Sequence, residues 1–190
     1  MIRAAFLSMA AAPAALMLAA APAAASQWAV VPAQSSLTFT SEWSGQTVTG
    51  RFPRFTVNIR FDPERLAEAR VDGVIDLSAA TTSDRTVNGS LPGPDWFDVG
   101  TSSNARLQLA QITRSKPGHY VARGTLSMRG AAVPVTLAFT LEIKGDTAFM
   151  AGQTMLDRRP FGIGMAGDPA ASWVAFQVPV RVRIVANRVR

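Results

Sequence analysis

Along most of the chain, apolar and polar residues alternate one for one. From Gly124 to Ile143 the sequence runs GTLSMRGAAVPVTLAFTLEI. Val133, Val135, Leu137, Phe139, Leu141 and Ile143 share one parity; Pro134, Thr136, Ala138, Thr140 and Glu142 share the other. Successive side chains of a strand point to opposite faces, so such a segment has one greasy face and one mostly wet face. The same period recurs at Leu37 and Phe39, at Val48, Gly50 and Phe52, and at Phe55, Val57, Ile59 and Phe61. It continues at Val71, Gly73, Ile75 and Leu77, at Ala105, Leu107 and Leu109, and at Leu126 and Met128. TAFMAGQTML and the run from Val174 through Phe176 to Ile184 complete it. The pattern predicts about eight strands, each buried on one face.

Helical signal is thin. Asp62 to Ala69 reads as a helical turn or two, with Asp62 as N-cap and Pro63 at the first helical position. The one long connection, Thr81 to Phe97, accommodates a short helix from Ser83 to Asn88, ended at Gly89. Strand after strand without intervening helices argues for an antiparallel sheet, which can pack as a sandwich or close into a barrel. An eight-stranded barrel is just wide enough to be filled by side chains or to hold one small ligand. Gly50, Gly73 and Ala105 fall on the apolar parity. They either leave room for a cavity or mark bulges and corners.

The N-terminus changes where this barrel is expected to work. Arg3 precedes an uncharged, Ala- and Leu-rich run that ends at Ala23-Ala24-Ala25, the layout of a cleavable signal peptide over residues 1–25. An uncleaved membrane anchor is the alternative, disfavoured by Pro13 and Pro22. A single domain from Ser26 to Arg190, exported to a periplasm, is therefore expected. The net charge of +6 does not imply nucleic acid as a partner, because the arginines are scattered along alternating strands.

Candidate chemistry is sparse. One histidine, His119, and no cysteine exclude a His-rich metal site, a thiol nucleophile and a redox pair. No G-x-S-x-G elbow accompanies any serine. Asp95 and Asp98 flank Trp96 and Phe97 in GPDWFDVG; a carboxylate pair near aromatics can act on sugars, but turn and capping roles fit that spacing at least as well. LDRRPFGIGMAGDP combines Arg158 and Arg159 with closely spaced glycines. Arginine forks and glycine-rich backbone nests both suit phosphate oxygens, although a plain turn with arginines facing water fits too.

Several pieces, in order, carry a family resemblance: Trp28 with VPAQSSLTF, then VTGRFPRF, IRFDP, LPGPDWFDV, GTLSMRGAAVPVTLAFTLEI and LDRRPFGIG. Over essentially the whole length after the signal peptide, the chain resembles the YceI-like family of periplasmic polyisoprenoid-binding proteins. The LPGPDWFDV and DRRPFGIG forms look like the branch associated with b-type cytochromes of the b561 kind. The resemblance implies an all-β fold, an extended lipocalin-like antiparallel barrel with one or two short helices. It implies a carrier or store of a polyprenyl phosphate or isoprenoid quinone, with no catalytic residue, metal or cofactor. On this sequence it places tail contacts at Phe39, Phe52, Phe55, Phe61, Leu107, Leu126, Met128, Leu137, Phe139 and Phe176. Trp96 and Phe97 would sit near the mouth, and Asp84, Arg85 and Arg158 would meet the headgroup. The implied partners are the isoprenoid lipid or quinone and, in a second reading with a side-chain-filled barrel, a membrane b-type cytochrome; a homodimer is compatible with either. The chain departs from the family pattern at Pro160, where Asp usually follows the arginine pair, and at Ser102-Ser103, where Tyr-Pro or Phe-Pro is usual.

Overall fold

The computed structural model describes residues 25–43 and 45–189. The expected signal peptide lies outside the described residues except for Ala25, whose backbone N–H donates to Glu68. Among the described residues a single antiparallel sheet contains eleven strands. They are β1 (Gln27–Val30), β2 (Ser36–Trp43), β3 (Gln46–Arg51), β4 (Phe55–Arg60), β5 (Arg70–Asp76), β6 (Thr81–Thr82), β7 (Asn104–Lys116), β8 (His119–Met128), β9 (Ala131–Lys144), β10 (Thr147–Asp157) and β11 (Gln177–Arg188). Strands β1, β4, β5, β7, β8, β9, β10 and β11 close into an eight-stranded barrel, because β1 pairs with β4 on one side and with β11 on the other.

The number of strands exceeds the expected eight chiefly because the alternation did not single out β1, cut off before β2, or the two-residue β6 in the long connection. A 3-10 turn at Pro32–Gln34 divides β1 from β2, and Phe52 to Arg54 divide β3 from β4. Proline cannot donate a ladder hydrogen bond, so Pro32 and Pro53 interrupt pairing where they fall. Below the breaks, β1 and β4 complete the barrel. Above them, β2 leans on β11 from Phe39 to Ser36, and β3 and β6 extend the sheet beyond it.

The hairpin singled out by its alternation forms as expected, Leu126 facing Val133 and Met128 facing Ala131. Arg129 and Gly130 turn the corner with φ of 50° and 74°. Two positive φ values match the right-handed twist of the strands, and only the first falls on a residue with a side chain.

Helical elements differ from the expected ones. Asp62 caps no helix; it accepts from the Glu64 N–H and pairs with Arg65, while a 3-10 turn forms at Leu66–Glu68. Helix α1 spans Arg85–Ser90 and runs through Gly89 to a cap at Leu91. The last strand starts at Gln177 rather than Val174, and Val174 instead bridges Trp43. No described helix is long and apolar enough to cross a membrane.

Candidate functional site

The inward parity of the strands does not meet at the barrel axis. It lines a cavity of about 300 Å³. Its deep end is floored by Phe61 and Phe139, with Tyr120 stacked behind Phe139 at 5.3 Å between ring centroids. The floor is anchored where Trp28 Nε1 donates to the Phe61 carbonyl at 2.9 Å. At the other end Trp43 and Trp96 pack 5.5 Å apart, and Phe39, Phe52 and Phe97 form a chain of tilted ring contacts at 5.2 and 5.8 Å.

The residues without large side chains on the apolar parity divide by role. Gly73 and Ala105 line the cavity. No register shift occurs at either, nor at Gly50; the irregularities of the β7–β8 pairing lie at Leu109/Gln111 and Arg114/Lys116. Gly50 leaves no open space, because the Phe39 ring lies flat over it where a Cβ would stand.

The tail candidates Phe39, Phe52, Phe55, Phe61, Trp96, Phe97, Leu107, Leu126, Met128, Leu137 and Phe139 all contribute to the cavity wall. Phe176 does not. It precedes β11, and its ring lies beneath the guanidinium groups of Arg158 and Arg159, 5.1 and 4.5 Å from its centroid. The strand whose parity selected it begins one residue later.

The polar candidates have structural employment. Asp84 is the N-cap of α1, its carboxylate accepting from the Thr86 and Val87 N–H groups at 2.7 and 2.9 Å. Arg85, next to it, is exposed and outside the cavity wall. Arg158 is 3% exposed. Its guanidinium donates to the carbonyls of Ile163, Asp168, Val174 and Ala175 and pairs with the Asp168 carboxylate at 3.2 Å. A guanidinium has five N–H groups, and these partners with the Met165 sulfur, 3.4 Å from Nη1, consume them, so it has none left for a headgroup.

The glycine-rich loop does nest an anion, and the anion belongs to the chain. Asp95 takes the Ala166 and Gly167 N–H groups on its two carboxylate oxygens at 2.9 and 3.0 Å. This is the capping role, and it removes Asp95 from any carboxylate pair. Asp168 accepts from the N–H groups of Ser172, Trp173 and Val174. Burial pushes its carboxyl up, but those three N–H groups and Arg158 together outweigh burial and hold it below its ordinary value. His119 opens β8, its Nδ1 3.0 Å from the Pro117 carbonyl oxygen and outside the cavity wall.

Arg129 is the site residue that the alternation did not single out. From the β8–β9 turn its side chain donates to the carbonyls of Pro94 (2.8 Å), Trp96 (2.7 Å) and Phe161 (2.9 Å). One guanidinium thus ties together the two long loops at the mouth. The only sequence signal was a charged side chain at a tight turn, which ordinarily faces water.

The sequence from Trp28 to Ala186 matches the YceI-like domain. The chain belongs to the YceI-like family. This YceI-like chain is 24% identical over 127 residues to a UPF0312 protein of Vibrio campbellii, covering 64% of the chain and 67% of the relative. Its barrel is similar to the crystal structure of Burkholderia cenocepacia BcnA, with a TM-score of 0.79 and 27% identity over 83% of this chain and 99% of that one. It also shares its fold with a domain from Saccharophagus degradans described as polyisoprenoid binding, at a TM-score of 0.63 and 16% identity over 88% of this chain and all of that one.

Proposed function

We propose that this protein binds an isoprenoid lipid in its barrel and carries or stores it in the periplasm, by burial alone and without chemistry. The observation that carries this reading is the wall of the cavity, built almost wholly from aliphatic and aromatic side chains. Apolar walls gain contact when a hydrocarbon chain lies between them. At about 24 cal/mol per Å³, some 300 Å³ represents on the order of 7 kcal/mol, comparable to the whole stability of a domain. That magnitude favours an apolar ligand over a barrel closed by its own side chains, and so favours the carrier over the side-chain-filled interaction partner of a b-type cytochrome. The polyisoprenoid-binding description of the Saccharophagus domain supports the same ligand class.

The charges at the wall narrow the headgroup. Asp157 and Arg158 are the charged residues lining the cavity. Asp157 pairs with Arg159, and Arg158 is bound by carbonyls and Asp168. An anionic head drawn inside would meet no free cation and would lose its hydration. The wall therefore suits an uncharged head, as on an isoprenoid quinone, better than a polyprenyl phosphate.

Organic extraction of protein purified from its native periplasm, followed by mass spectrometry, tests this. The expected product is a polyisoprenoid with an uncharged head. Recovery of a phosphorylated isoprenoid would overturn the headgroup assignment, and repeated recovery of no isoprenoid would overturn the carrier.

A further inference from the structure

The outer face of the barrel distributes its cations unevenly. Around β4, β5 and β7 several meet carboxylates, although Arg60 of β4 stands directly opposite Arg70 of β5, whose guanidinium donates to the carbonyls of Ala67, Ala69 and Ala110. Arg54 lies 2.8 Å from Asp76, Arg114 lies 3.2 Å from Glu64, and Arg106 sits diagonally between Asp72 and Asp76 in the ladder. On the far side, one rung of the sheet reads Thr81, Arg51, Thr38, Arg181, Gln153 and Ala138 across β6, β3, β2, β11, β10 and β9. The next outward rung places Arg183 between Ser36 and Ala151.

Arg51, Arg181 and Arg183 are all exposed, and among the described residues none of their side chains has a hydrogen-bond or ion-pair partner. No carboxylate stands beside them in the ladder. Strands lie about 4.8 Å apart and alternate residues about 6.6 Å apart, so the stems of these arginines are roughly 7–12 Å from one another. Like charges at that spacing repel, and nothing in the fold compensates them.

The same wall is apolar towards the mouth. Met155, 57% exposed, stands opposite Pro179. Trp173, 55% exposed, precedes the buried Val174 that bridges Trp43 at the end of β2. Arginine forks take phosphate oxygens in pairs, and an exposed tryptophan suits the boundary between headgroups and acyl chains.

We propose that the outer wall of β10, β11, β2 and β3 docks on an anionic lipid surface, with the three arginines on headgroup phosphates and Trp173 and Met155 in the interface beside the mouth. Charge decides the occupant: a second copy of the chain meeting this wall through a two-fold axis would set arginine against arginine. The proposal rests on the carrier reading for its purpose, which is to bring the mouth to the bilayer that supplies or receives the lipid.

Cosedimentation with phosphatidylcholine vesicles, with and without phosphatidylglycerol, tests it. Binding is expected only with phosphatidylglycerol, should weaken with salt, and should fall roughly a hundredfold in the Arg51→Gln, Arg181→Gln, Arg183→Gln triple variant, at about fivefold per arginine. Arg106→Gln with Arg123→Gln, on the other wall, should bind as the parent does. All variants should keep close to the parent melting temperature, since none of the replaced side chains has a hydrogen bond or ion pair among the described residues and Arg106 meets Asp72 and Asp76 only diagonally. Equal loss in the control pair, no loss in the triple variant, or no preference for phosphatidylglycerol would overturn the proposal. So would retention on native membranes that disappears after protease treatment of those membranes, which would assign the wall to an acidic protein. Lipid extraction from the same preparations separates the two readings. A protein that carries isoprenoid but ignores the vesicles loses only the docking surface, and one that binds the vesicles but never yields isoprenoid loses only the carrier.

Discussion

Burying a guanidinium obliges a fold to supply acceptors for five N–H groups, and the loop from Ile163 to Ala175 is shaped to do so around Arg158. Removing that side chain leaves the Asp168 carboxylate buried without its cation. Arg158→Ala is accordingly expected to lower the melting temperature by roughly 10 °C in a thermal scan, an effect that a headgroup ligand at the surface would not produce. Arg158→Lys should rescue little, because an ammonium cannot reach acceptors spread around a planar fork. Two glycines offer a second contrast. A Cβ on Gly73 would meet the Leu107 Cβ at 3.6 Å, an ordinary contact, whereas one on Gly50 would run into the Phe39 ring. Gly73→Leu should therefore fold and exclude lipid from the cavity. Gly50→Ala should displace Phe39 and cost about 1–3 kcal/mol by chemical denaturation.

At the scale of elements, the mouth is made by connections rather than by strands. The segment from Ser83 to Ser103 carries Trp96 and Phe97, and the segment from Arg158 to Phe176 packs against it through Asp95 and Gly164. Arg129 reaches both, so Arg129→Gln should loosen them together. The expected result is faster release of bound lipid and proteolysis within the Ser83 to Ser103 segment, with the barrel strands still protected. The same loops should respond to acid. Asp168 has a lowered pKa in the folded chain, so its contribution to stability is in place above the ordinary value of 3.8 and is lost as pH falls through the lowered one. Asp157, held down chiefly by its bond from Arg159, shifts in the same direction. Melting temperature should hold flat from neutral pH to about pH 5 and drop below pH 4. A flat profile to pH 2 would show that neither carboxylate supports the mouth.

For the whole molecule, the cavity ties stability to its contents. A ligand bound by the folded chain alone raises its stability with ligand concentration, so delipidated protein should melt lower than lipid-loaded protein and recover on adding back the extract. The alternation along the chain was enough to establish the strands, their inward faces and most of the cavity wall, because period-2 burial is a local property of each strand. Phe176 was the exception, selected by a parity that belongs to a strand beginning one residue later. Closure of the barrel depended on the pairing of β1 with both β4 and β11, residues far apart in the chain. The fate of the polar residues also depended on distant partners. Arg158 and the glycine-rich loop have the composition of an anion site, and tertiary structure directed them to Asp168 and Asp95 instead. The sequence by itself determined which residues turn inward; only the tertiary structure decided that they stop short of meeting, that the mouth's charges satisfy one another, and that Arg51, Arg181 and Arg183 are brought together on one outer wall with no carboxylate beside them. Those outcomes are set by distances between strands and loops, which no local pattern encodes.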